Sequence, residues 1–433
     1  MLMNEDFLHY LWKFLKFEGA TSESSLYTTM GEIVQIIKPG MHNQLAGPDF
    51  FNAQLRIDGQ LWAGNVEIHL KSSDWYVHNH ENDEAYSNVI LHVVWEDDCA
   101  VFDKANQPIP TITLKDRVGS RLLQSYQNLL KRGHKRFINC ETDFAQIAES
   151  VLEPWLERVY FERLERKVVE VEVQLKELQG DWESVLFVRL ARSFGTLVNA
   201  EAFEELARNI PFTIIRKLST KPGLLEPVLL GLAGLLPQET QEAAVIQWKQ
   251  DFEFARTKFS LPQELNHRMH FFKLRPLNFP TIRISQLASL YEKSPNLFEA
   301  CMHISERQEL HDLFTVRASD YWNTHYTFGK VHTSKVKKLS PGFIDVLLIN
   351  SLIPVRFAYA RHRGLEIEEQ LLNVLTQIPA EKNTIVQGFE ALRTIDKDAM
   401  HSQALIQLKK HYCDLNRCLH CSVGNSLLSA RHN

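Results

Sequence analysis

The residues best able to do chemistry lie close together, in the stretch GPDFFNAQLRIDGQLWAGNVEIHLKSSDWYVHNH from Gly47 to His80. Two alternating runs flank Asp58-Gly59, a dipeptide that favours a tight hairpin turn. Successive side chains of a strand point to opposite faces. Asn65, Glu67, His69 and Lys71 therefore share one face of the second run, and Val66, Ile68 and Leu70 share the other. Asp49 stands just ahead of the first run, where the hairpin can bring a second carboxylate alongside. Carboxylates and an imidazole suit a divalent cation such as Mg2+ or Mn2+, which polarises a phosphate and lowers the pKa of a bound water. A neighbouring lysine can orient that water or offset the charge that develops in the transition state. The expected metal ligands are Asp49, Glu67 and His69, with Asp49, Glu67 and Lys71 as the catalytic group. His78 and His80 straddle Asn79 in the polar loop that follows, and with Trp75 they are expected to contact substrate or a second cation. The competing reading is an ordinary hairpin with one solvated polar face.

A second candidate lies near the C-terminus, in YCDLNRCLHCSVGNSLL. Cys413, Cys418 and Cys421 are clustered, and clustered thiolates are soft ligands suited to zinc or an iron–sulfur cluster. Three cysteines do not complete a site; distant Cys140 is the candidate fourth ligand, with His411 or His420 as alternatives. Buried, inert thiols are the competing reading. A third stretch, HRMHFFKLRPLNFPTIR, mixes Arg268, Lys273, Arg275 and Arg283 with phenylalanines. Basic residues interleaved with aromatics can hold phosphates and stack bases, so Arg268 and Arg275 are candidate substrate contacts. An irregular connector packed by its own phenylalanines is the alternative.

The elements that must position these groups change character along the chain. Asp6–Phe17 has apolar residues at helical spacing. Strands are expected at 33–37, on both sides of Asp58-Gly59, at 89–95 (VILHVVW, apolar on both faces apart from His92) and at 111–114. His92 reads as a hydrogen-bonded core histidine. From about Asp116 the pattern is helical, through a basic run at 131–140 and helices at 153–178, 182–194, 201–218, 224–236, 240–259, 284–292, 297–304, 343–360, 367–376 and 384–392. The expected fold is α+β: a small mixed β-sheet with flanking helices in residues 1–116, then an all-helical region in 117–433 that carries the cysteines.

With 433 residues, 44% of them hydrophobic and 23% charged, the composition is that of a globular chain. The longest dense apolar run, at 227–237, is shorter than the roughly 20 residues a membrane span needs. With no apolar leader and six cysteines, too few for a disulfide framework in a chain this long, a cytoplasmic location is expected. The net charge of −5 hides an asymmetry: residues 1–116 hold 7 Lys+Arg against 17 Asp+Glu, and the remainder 41 against 36. An acidic first region suits a cation better than a polyanion, so positive surface for nucleic acid has to come from the helical remainder.

Pro48-Asp49, a hairpin, an acidic residue, a spacer and Lys71 resemble the PD-(D/E)XK nuclease core. That resemblance implies a restriction-endonuclease-like sheet and metal-dependent cleavage of DNA or RNA. The chain departs from the pattern two residues before the lysine, where His69 stands in place of Asp or Glu and leaves Glu67 to supply the carboxylate. The departure motivates a second expectation, a nucleic-acid- or protein-binding scaffold on a degenerate nuclease fold. Over nearly its whole length the sequence, through WAGNVEIHLKSSDWYVHNH, VILHVVW and CLHCSVGN, is similar to an uncharacterised bacterial family, the domain of unknown function 2851 family.

Overall fold

The computed structural model describes residues 3–20, 25–43, 46–130, 136–262, 265–395 and 397–430; the basic run at 131–140 falls outside it as far as residue 135. The chain forms two compact units, residues 1–155 together with 408–433, and residues 156–407.

The first unit is organised by a mixed seven-stranded sheet. Its strands are β1 (Leu26–Tyr27), β2 (Ile33–Lys38), β3 (Met41–His42), β4 (Phe50–Ile57), β5 (Gln60–Lys71), β6 (Val89–Glu96) and β7 (Thr111–Thr113), with helices α1 (Glu5–Lys13), α2 (Asp74–Val77) and α3 (Ser120–Leu130) around them. The spatial order is β1-β2-β4-β5-β6-β7, with β3 pairing on β4. From β1 to β5 the pairings are antiparallel; β5–β6 and β6–β7 are parallel. The β4–β5 hairpin turns at Asp58 and Gly59, both at positive φ (45° and 83°), the conformation that made this dipeptide a turn signal. β6 lies between two parallel neighbours and is buried along most of its length, as its apolar run predicts.

The alternation in β5 decides where everything else goes. Val66 and Ile68 join a core built from Phe7, Leu8, Leu11 and Trp12 of α1, Phe50 and Leu55 of β4, Leu91 and Val93 of β6, and Leu122 and Tyr126 of α3. Burying each such side chain contributes about 1.5–3 kcal/mol, so Leu11→Ala, at a fully buried site, costs about 2–5 kcal/mol. α1 is capped by Asn4, whose side chain accepts from the Phe7 N–H. Leu129, Cys418, Leu419 and Leu428 complete the same core, so α3 and the C-terminal tail belong with the sheet. Secondary structure changes near residue 116, as the sequence indicates, yet the units divide differently from a 1–116 and 117–433 partition, because the apolar face of α3 has its partner in the sheet.

The second unit is helical. The segment expected as one helix at 201–218 is two, Thr196–Arg208 and Phe212–Ser219, because Pro211 cannot continue the first. Among the described residues, the helix long and apolar enough to cross a membrane is Pro341–Arg363, and 67% of its apolar window is buried inside the fold. At its centre the Arg356 side chain is 2% exposed and donates to the Ile304 carbonyl, which is the behaviour of a core helix.

Candidate metal centre

At Glu67 and His69 the polar face of β5 is not solvated. Glu67 is 5% and His69 2% exposed, on the side of the sheet opposite the main core. The segment from α2 through Tyr86 folds back over them and is anchored by a small apolar cluster of Trp75, Val89, Val101 and Ile109. Asp74 holds the start of this cover by accepting from the Lys71 N–H at 2.9 Å. Asn79, at φ +61°, turns the chain between His78 and His80, so the pair reach the same place by a left-handed bend rather than as an extended strand.

Three imidazoles meet there. One ligand nitrogen from each of His69, His78 and His80 lies within 4.8 Å of the others. His69 Nε2 is 3.1 Å from His78 Nδ1 and 3.5 Å from Glu67 Oε1, and His80 Nε2 is 3.4 Å from the same Glu67 oxygen. The other oxygen of Glu67 accepts from the Asp49 backbone N–H at 3.1 Å, which aims Oε1 at the histidines. Tyr86 stacks on the His80 ring at 3.7 Å between centroids and fixes its plane.

His92 orients His69. Their Nε2 and Nδ1 atoms are 2.8 Å apart, and both rings are buried. For His69 Nε2 to offer its lone pair outward, Nδ1 must carry the proton and donate it to His92. His92 Nδ1 then holds a hydrogen with no partner in the fold, a cost of about 1–3 kcal/mol for a buried donor. Burial, then the neighbouring imidazoles of His92, His80 and His78, pushes His69 down to about 2. Burial, followed by His80, pushes His92 down to about 3. His69 is thus neutral, the form that ligates a metal. Burial, followed by the Asp49 carboxylate, pushes Glu67 up to about 9, so it holds a proton that an incoming cation must displace. Three nitrogens and a carboxylate oxygen fit Mn2+, Zn2+ or Fe2+ better than Mg2+, which prefers oxygen.

The remaining residues singled out from the sequence fall as follows. Asp49 is beside the cluster but its carboxylate points elsewhere: Oδ2 accepts from the Ile68 N–H at 3.0 Å and lies 3.1 Å from His9 Nε2. Burial lowers the His9 pKa, and the bond to Asp49 together with the charges of Asp49, Asp6 and Glu5 outweighs it, for a net rise. Asp49 therefore positions Glu67 and β5 and is not among the converging ligand atoms. Lys71 shares the face of Glu67 and His69, but its side chain is 57% exposed and its ammonium lies 3.9 Å from Asp98. Trp75 is 1% exposed, so it cannot meet a substrate at the surface; its indole forms the wall behind His80 and His92. Arg268 and Arg275 are exposed in the second unit, whereas Arg283 is buried, bonded to Gln286 and Asn278 and laid over Phe343. Phe271 packs edge-on against Phe279 at 5.1 Å, as an internally packed connector would. Cys301 is buried and Cys99 half-buried. His9 escaped the sequence reading because its partner is 40 residues away and no local pattern links them.

Fold and site together define an α+β protein with a histidine-rich, metal-competent centre on one face of a mixed sheet. The chain belongs to the family described as protein of unknown function (DUF2851), whose model matches residues 5–384. No curated protein and no solved structure matches it.

Proposed function

We propose that this protein is a metal-dependent nuclease, cleaving phosphodiester bonds in DNA or RNA, with its cation held by Glu67, His69, His78 and His80. The observation that carries the reading is the convergence of the His69, His78 and His80 nitrogens, with Glu67 Oε1 beside two of them, oriented from behind by His92 and the Asp49 amide. A divalent cation held there supplies Lewis-acid polarisation of a phosphate and a water of lowered pKa. The chain's own contribution is to fix the ligands and hold the His69 imidazole neutral. His78, the exposed member of the group, lies on the side open to a substrate. The mixed sheet, the Pro48-Asp49 step at the head of β4 and Lys71 at the end of β5 support a restriction-endonuclease-like ancestry for the unit. Lys71 reaches the reacting phosphate only by leaving Asp98, a swing its 57% exposure permits. The test is cleavage of end-labelled single- and double-stranded DNA and RNA with Mn2+ or Zn2+, wild type against Glu67→Gln. Cleavage by the wild type that the variant loses supports the role; equal cleavage by both refutes it.

A second reading is favoured by two observations. Four protein ligands complete a tetrahedral sphere, as in structural sites that keep no open position, and the Lys71 ammonium faces Asp98. In that reading the protein is a nucleic-acid- or protein-binding scaffold whose centre ties the α2–Tyr86 cover to the sheet. Tight metal binding with no cleavage across the substrate panel selects it.

A further inference from the structure

The fold brings the four cysteines predicted as ligands together, far from the histidine centre in sequence and unlike it in chemistry. Cys140, Cys413, Cys418 and Cys421 line one small pocket of about 20 Å³, together with Leu129, Asn139, Tyr412 and Gly424. The ligands come from separate pieces of chain. Cys140 precedes the 310 turn Phe144–Gln146, Cys413 closes the π-turn Lys409–Cys413, Cys418 opens the 310 turn Cys418–His420, and Cys421 precedes the helix Ser422–Ala430. All six cysteines of the protein are free thiols, so none of the four is spent on a disulfide.

The surroundings of the sulfurs are polar on one side and close-packed on the other. The Asn139 amide donates to Cys418 Sγ at 3.5 Å. Gly424 is required there: a Cβ would stand 2.1 Å from the Cys418 carbonyl oxygen. The buried indole N–H of Trp155 has no acceptor in the fold.

We propose that Cys140, Cys413, Cys418 and Cys421 bind a soft metal centre, a zinc ion or an iron–sulfur cluster, that staples the C-terminal tail to the body of the first unit. Each cysteine releases its thiol proton on ligation, so the four ligands together release four protons. Held this way, residues 408–430 are tied to the segment around residue 140 by metal–thiolate bonds in addition to the apolar contacts of Leu419 and Leu428.

The test is metal analysis of the full-length protein, expressed with iron and purified without oxygen. The expected result is either iron and acid-labile sulfide in equal amounts, at about two to four of each per chain, with visible absorbance that bleaches on reduction, or about one zinc per chain without sulfide. In Cys413→Ser/Cys421→Ser that metal should disappear, and in Cys99→Ser it should be retained. The His78→Ala/His80→Ala variant should also retain it, which separates this site from the histidine centre. Metal that Cys413→Ser/Cys421→Ser retains in full, or four freely titrating thiols in the folded wild type, overturns the proposal.

Discussion

Glu67→Gln should stabilise the metal-free protein and abolish its response to metal. In the fold, burial and the Asp49 carboxylate raise Glu67 from 4.5 to about 9. Below pH 4.5 the group is protonated whether the chain is folded or not. Between 4.5 and about 9 the folded chain keeps a proton that the unfolded chain releases, so stability falls as pH rises through that window. At pH 7, 2.5 pH units above 4.5, the cost at about 1.4 kcal/mol per unit is on the order of 3 kcal/mol, and little is lost to screening because the side chain is 5% exposed. Glutamine keeps an oxygen for the Asp49 N–H and carries no such penalty. The metal-free variant should therefore melt roughly 5–10 °C above wild type at pH 7, and the gap should close near pH 4.5. Adding Mn2+ or Zn2+ at about 100 times its Kd should raise wild-type stability by about 2.7 kcal/mol and leave the variant unmoved. Calorimetry of chelator-treated protein at several pH values, with and without metal, reads both effects. A variant that melts below wild type without metal, or that gains as much from metal as wild type does, refutes this account of Glu67.

His92→Phe removes the group that fixes the His69 tautomer, and titration calorimetry should show metal affinity weakened about 10–100-fold with secondary structure unchanged. Lys71→Ala, which removes an exposed ammonium 3.9 Å from Asp98, should leave metal affinity and melting temperature near wild type; if the nuclease reading holds, only cleavage falls. In the second unit, burial, followed by the charges of Arg163 and Arg189, holds Lys167 down from 10.5 to about 7, so the folded chain lacks a proton that the unfolded chain binds between those values. Wild-type stability should rise with pH through that window. Lys167→Met should stabilise the protein at and below pH 7, by about 5 kcal/mol at most, with a gain that fades by pH 10.5 in denaturant titrations.

Local pattern was enough to place five of the seven strands, all but the two-residue β1 and β3, and most helices, because a period of two or of 3.6 is written into neighbouring residues. It also put Glu67 and His69 on one face of β5 and made His92 a core residue, since alternation and burial are properties of a single strand. Where Lys71, Asp49 and Trp75 point was not legible. Lys71 goes to Asp98, Asp49 to the Ile68 amide and His9, and Trp75 inward, and each outcome depends on what another segment brings within reach. The helix expected at 201–218 broke at Pro211, a signal that was present and under-weighted.

The order of residues alone therefore determined an α+β chain with a polar strand face and two clusters of ligand-type side chains. Tertiary structure decided which of those side chains meet. The bend at Asn79 and the fold-back of residues 74–86 bury the polar face of β5 and deliver His78 and His80 to Glu67 and His69. The return of the chain from residue 408 brings three cysteines to a fourth more than 270 positions earlier. Sequence periodicity reports which way a side chain faces on its own element; which groups share a point in space is fixed only when apolar faces such as those of α1 and α3 find their partners and carry the attached loops with them.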